Sequence, residues 1–133
     1  MPEPEKKLIE VIVEKRLRVC KEIEATEEEI EGLIHAFAHA ALLAIEAGFD
    51  GVEIHGANGY LLQQFYSGAS NRRTDKWGGT REKRMRFPLA VLDAVLEARK
   101  ESGRNDFIVG YRFSPEEPWD DGITMEDTLA LID

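Results

Sequence analysis

Hydrophobic and polar positions repeat along this chain with two periods, and the changes from one to the other mark out its elements. Ile30, Leu33, Ile34, Phe37, Ala41 and Ile45 recur at helical spacing and predict an amphipathic helix. Thr26-Glu27-Glu28-Glu29 opens it as a capping box, with Thr26 at the N-cap and Glu29 reaching back. Gly48 stops it. Phe49-Asp50-Gly51 then turns the chain into Val52–Ile54, a short apolar run that reads as a buried strand. Residues 61–65 hold one or two helical turns, and residues 66–79, rich in Ser, Asn, Gly and Arg, read as a loop. Thr80 caps a long helix that turns Phe87, Ala90, Val91, Ala94, Val95 and Ala98 towards a core. Pro88 lies inside its early turns and predicts a bend or a later start. Gly103 ends that helix, Phe107–Phe113 is the second clear strand, and Thr124-Met125-Glu126-Asp127 opens a last helix after a loop with Pro115 and Pro118.

The stretch from residue 8 to 23 fits both periods. Ile9, Val11 and Val13 alternate, as do Leu17, Val19 and the more distant Ile23, whereas Leu8, Ile12, Val19 and Ile23 also share a helical face. The β-branched content favours one or two strands. Residues 1–25 are therefore set apart as an atypical N-terminal segment, and residues 26–133 as a run of βα units. A strand–helix–strand order with a long crossover implies parallel pairing and a right-handed connection, hence the α/β class.

Composition narrows the class without choosing a function. At 43% hydrophobic and 32% charged, the 133 residues suit one globular domain. A net charge of −9 argues against a nucleic-acid partner, which calls for a basic footprint. The one cysteine, Cys20, excludes an internal disulfide framework, fits a reducing cytosol, and sits where burial is the simpler reading than reactivity. No apolar run approaches the roughly 18 residues of a membrane span. The start, Met1 to Lys7, has no apolar signal core. A cytoplasmic protein without a membrane partner is the expectation.

Candidate chemistry concentrates in Val52-Glu53-Ile54-His55-Gly56-Ala57-Asn58-Gly59-Tyr60. Parallel α/β folds carry their active sites at the C-terminal ends of strands. There His55 and Asn58 can hydrogen-bond one carbonyl or nitro oxygen and stabilise charge developing on it. Tyr60 can deliver a proton to the carbon left electron-rich. Alternation puts Glu53 and His55 on one strand face, and Gly110 and Arg112 on the matching face of the next strand. Val52 and Ile54 then meet the helices, as do Tyr111 and Phe113. Arg112, always charged, suits an electron-accepting ring whose reduced form is anionic. An ion pair with Glu53 is its competing role.

Two other clusters read as ordinary surface. His35 and His39 stand four apart, as metal ligands do, but lack a third ligand and share their face with Glu31 and Glu46. The seven cations from Arg72 to Arg86 are interleaved with Asp75 and Glu82, which favours bracing over an anion-binding patch.

The motifs His55-Gly56-Ala57-Asn58-Gly59-Tyr60-Leu61, Gln64-Phe65, Ser70-Asn71-x-Arg73-Thr74-Asp75-x-Trp77-Gly78-Gly79, Arg84-x-Arg86-Phe87 and Gly110-Tyr111-Arg112-Phe113-Ser114-Pro115 together resemble the old yellow enzyme family. The bacterial NADH:flavin oxidoreductases are the subgroup they resemble most. The resemblance implies an FMN-binding (β/α)8 TIM barrel in which NAD(P)H reduces the flavin, and flavin N5 passes hydride to an enone or nitro substrate. It implies that His55 and Asn58 hold the activating oxygen, that Tyr60 is the proton donor, and that Arg112 lies by the flavin N1/O2 edge. It also implies that Asn71 to Asp75 form a structural brace. The chain departs from the family where Tyr66-Ser67-Gly68 stands in place of the frequent Leu-Ser-Pro, and in residues 1–25.

A complete barrel takes about 250 residues, so the chain is expected to be a partial barrel, the central piece of such an enzyme. Two functional readings follow. In one it is a segment of an FMN-dependent NAD(P)H oxidoreductase of activated alkenes. In the other it is a non-catalytic scaffold that binds no stoichiometric FMN, for want of phosphate-binding loops, and forms a homo-oligomer through uncovered strands.

Overall fold

A computed structural model describes residues 25–133. The reading of residues 8–23 as strands, and that of Cys20, lie outside the described residues. The first helix, α1 (Glu27–Glu46), carries the expected capping box: the Thr26 hydroxyl accepts from the Glu29 N–H at 3.2 Å and the Glu29 carboxylate from the Thr26 N–H at 2.7 Å. Its C-terminus closes in a Schellman motif. Gly48, at φ +83°, donates to the Ile45 carbonyl at 3.0 Å, and Phe49 donates to that of Ala44 at 3.1 Å.

Strand β1 (Gly51–Gly56) leads through a turn into the short helix α2 (Leu61–Tyr66). The long helix α3 (Arg81–Glu101) follows the loop, and Thr80 caps it by accepting from the Lys83 N–H at 3.3 Å. It begins at Arg81 and runs through Pro88 instead of starting after it. An interior proline costs a helix about 3 kcal/mol. Here Phe87, Pro88 and Val91 are all buried, and that packing, with the cap upstream, outweighs the local penalty. Strand β2 (Ile108–Phe113) and helix α4 (Met125–Ile132) complete the order, with a second capping box between Thr124 and Asp127.

The strands pair in parallel as the crossover requires, with Glu53 opposite Gly110, Ile54 opposite Tyr111 and His55 opposite Arg112. Helices α1 and α3 pack on each other and α1 on β1, and side chains of both helices share one core with the strand residues of a single face. Ile30, Ile54, Leu62, Trp77, Phe87, Val91 and Val95 form the core, with Val52, Val109 and Tyr111 packed against it. Phe113 shares the helix-facing side by alternation but, at the strand end, stays 39% exposed instead of meeting a helix. The opposite face carries Glu53, His55, Gly110 and Arg112, with Ile108 in line at 67% exposed. Among the described residues no helix is long and apolar enough to cross a membrane.

Candidate active site

The polar cluster sits where β1 gives way to α2. Asn58 and Gly59 both adopt left-handed backbone, at φ +56° and +72°, and the Tyr60 N–H closes onto the Ala57 carbonyl at 3.1 Å. Positive φ at both central positions is the signature of a type I′ turn, and Asn-Gly tolerates it better than almost any other pair. The sequence therefore reverses direction within four residues and returns Tyr60 beside His55. Their rings meet edge to face with centroids 5.2 Å apart.

Side chains hold three of the turn's peptide groups. The Ser114 hydroxyl accepts from the Asn58 N–H at 3.0 Å. The Gln63 carboxamide oxygen accepts from the Gly59 N–H at 2.9 Å, and the Gln64 carboxamide donates to the Gly59 carbonyl at 2.7 Å. Gln63 and Gln64 lie on the first turn of α2, so local spacing alone carries them to the turn. Ser114 is 56 residues from Asn58 and arrives only because β2 pairs with β1. Reading the motif for its chemistry missed these three as turn-holding residues. The four- and five-residue spacings from Gly59 were a signal for the glutamines, and none existed for Ser114.

Within the cluster, His55 Nδ1 accepts from the Ala57 N–H at 3.5 Å. In a neutral ring with Nδ1 in that accepting role, the proton lies on Nε2. Asn58 Nδ2 stands 3.5 Å from this Nε2, so two N–H donors lie side by side. A pair of donors at that spacing suits one ligand oxygen better than it suits each other. Tyr60 is 64% exposed, and its phenol remains open to a ligand.

Arg112 lies next to His55 across the strand pair, and its Nη2 contacts Glu53 Oε1 at 2.5 Å. Both side chains are about half exposed, so the pair is screened by water and leaves the guanidinium accessible. Three of the expected residues thus come together directly, and the fourth neighbours them with a carboxylate partner.

The brace region behaves as one. Asn71 is buried and donates to the carbonyls of Phe65 and Trp77 at 2.6 and 2.8 Å, while its oxygen accepts from the Arg73 N–H at 3.1 Å. Trp77 Nε1 donates to Glu27 at 2.8 Å, and Arg84 to the carbonyls of Tyr66 and Gly79 at 2.8 and 3.1 Å. Arg73 pairs with Asp75 and holds that carboxyl below its usual range. A cavity of about 440 Å³ borders Arg72, Arg73 and Arg84, each already engaged with a carboxylate or carbonyl. Burial pushes the Tyr66 phenol up to about 12, and its hydroxyl donates to the Asp127 carbonyl. Among the described residues no group of three or more His, Cys, Asp or Glu is placed to hold a metal.

A parallel strand pair with its helices on one face, and a polar turn at the strand end, make an α/β arrangement similar to part of a solved reductase. The chain belongs to the NADH:flavin oxidoreductase / NADH oxidase family, whose model matches residues 3–133. It is 60% identical over 108 residues to a probable NADH-dependent flavin oxidoreductase, YqiG, of Bacillus subtilis, covering 81% of this chain and 29% of that one. It is 56% identical over 111 residues to an NADH:acrylate oxidoreductase of Vibrio harveyi, covering 84% of this chain and 11% of that one. A solved 2-naphthoyl-CoA reductase in complex with 2-naphthoyl-CoA superposes with a TM-score of 0.74 at 38% identity, over 81% of this chain and 16% of that one. The chain thus spans less than a third of the length of these relatives.

Proposed function

We propose that this chain supplies the substrate-orienting and proton-donating strand end of an FMN-dependent NAD(P)H oxidoreductase acting on activated alkenes, with an enone or nitro compound as substrate. The observation that carries the reading is the meeting of His55, Asn58 and Tyr60 on one pinned turn, with two donors 3.5 Å apart and an exposed phenol beside them. His55 Nε2 and Asn58 Nδ2 orient the substrate by its oxygen and stabilise the negative charge that builds there. Tyr60 donates the proton to the carbon adjoining the activating group. Arg112 fits an electron-rich flavin edge, since its guanidinium stays accessible beside Glu53, and is the residue that would hold the ring. FMN, when bound, supplies the hydride, and NAD(P)H replenishes it.

The test is stopped-flow kinetics on a chimera carrying this segment in place of the matching part of the B. subtilis relative. Tyr60→Phe should slow enone reduction by about 10²-fold or more, the usual worth of a positioned proton donor. Flavin reduction by NADH should stay nearly unchanged. Equal slowing of both half-reactions would mean that Tyr60 is scaffold.

The Arg112–Glu53 contact and the open face around Ile108 support a second reading, in which the isolated chain is a self-associating scaffold without flavin. A visible absorption spectrum and native mass of the purified chain separate the two: a yellow species with one FMN per chain excludes the scaffold.

A further inference from the structure

We infer that Glu117 is a positioning residue for the Asn58-Gly59-Tyr60 turn, acting through the carboxamide of Gln63. Glu117 lies in the loop after β2, 54 residues from Gln63, and outside every motif that points to the site. Its carboxylate gathers three donors: Gln63 Nε2 at 2.8 Å, the Ser67 hydroxyl at 2.5 Å and the Ile123 N–H at 2.9 Å. Its own N–H donates to the Ile123 carbonyl at 2.8 Å, so main chain and side chain together close the 117–123 segment. The fold makes room for this approach. A Cβ on Gly122 would stand 2.7 Å from Glu117 Cβ and 3.1 Å from its Oε2.

The consequence for the turn follows from donor and acceptor chemistry. A carboxylate only accepts, so it takes the NH2 end of the Gln63 amide and directs the carbonyl end at the Gly59 N–H. The flipped amide would face oxygen with oxygen at Glu117 and donor with donor at Gly59, so neither contact would form. Gly59 sits between the substrate-orienting Asn58 and the proton-donating Tyr60 in left-handed backbone, and fixing its N–H fixes the direction in which Tyr60 leaves the turn. The assignment of a purpose to that turn rests on the proposed reductase function; the relay itself does not.

Amide hydrogen exchange on the isotope-labelled 133-residue chain tests the relay without flavin or substrate. In the wild type the Gln63 side-chain NH2 should exchange at least tenfold slower than a free glutamine. Glu117→Gln should speed exchange at the Gly59 N–H about tenfold relative to the core amide of Val91, and Gln63→Ala should do the same. Adding Glu117→Gln to Gln63→Ala should change Gly59 no further, since one path cannot be broken twice. An unprotected Gln63 NH2, a Gly59 change matched at Val91, or additive effects in the double variant would each overturn the proposal. In the chimera, both variants should slow enone turnover and spare flavin reduction. If the exchange results hold but turnover is untouched, the relay stands and the reductase reading fails.

Discussion

Asn71 offers the sharpest test of the packing that carries the site. Its carboxamide satisfies three backbone groups at once: the Phe65 and Trp77 carbonyls and the Arg73 N–H, with only 8% of the residue exposed. Gly78 leaves the necessary space, since a Cβ there would stand 2.4 Å from Asn71 Oδ1. Asn71→Ala removes three bonds at about 1 kcal/mol each, or about 3 kcal/mol together. For a domain of this size the melting temperature should fall by roughly 10 °C or more. Asn71→Asp is nearly isosteric, but turns an oxygen towards the two carbonyls. The ionised form is repelled, whereas the protonated form can still donate to one of them. The folded-state pKa of the new carboxyl is therefore raised above its unfolded value of about 3.9. Its penalty is small below that pH and grows as the pH rises towards the folded-state pKa. Urea denaturation at pH 4 and pH 7, on the wild type and both variants, measures this. The Ala deficit should be similar at the two pH values, while the Asp deficit should shrink at pH 4. A cost below about 1 kcal/mol for Asn71→Ala, or an Asp deficit independent of pH, would refute the reasoning.

Two more outcomes are expected. Gly56→Ala should destabilise by about 1–3 kcal/mol, because overpacking has that cost and the new methyl would stand 2.4 Å from Tyr111 Cζ and 2.3 Å from its hydroxyl; Tyr111→Leu in the same chain should recover part of the loss in urea midpoint. Arg81 pairs with Asp127 at 2.6 Å and Glu126 at 3.0 Å. Burial raises the Asp127 carboxyl, but the Thr124 N–H, the Arg81 guanidinium and the Thr124 hydroxyl outweigh it and hold the group below its usual range. A lowered folded pKa contributes stability above about pH 4 that is lost as pH falls through it. Arg81→Met should therefore lower the urea midpoint at pH 7 and move the acid-unfolding limb to higher pH. Unchanged acid unfolding would remove Arg81 from the account.

What the chain's order of residues determined is what acts over short reach. Thr26 with Glu29, Thr80, and Thr124 with Asp127 start their helices because a cap and its partner lie within three or four residues. Gly48 and Gly103, at φ +83° and +76°, lie just past the ends of α1 and α3 because left-handed backbone suits a residue without Cβ. The parallel pairing of β1 and β2 followed from the length of the crossover. The meeting of His55, Asn58 and Tyr60 was legible for the same reason, since six residues and an Asn-Gly turn leave them little room to separate. Tertiary structure decided the rest. α3 persists through Pro88 because the ring is buried, Arg112 has Glu53 beside it on the neighbouring strand, and Phe113 remains exposed at a strand end. Ser114 reaches the turn across 56 residues and Glu117 reaches Gln63 across 54, and no period or cap in a sequence encodes a hydrogen bond that exists only once two strands have found their register.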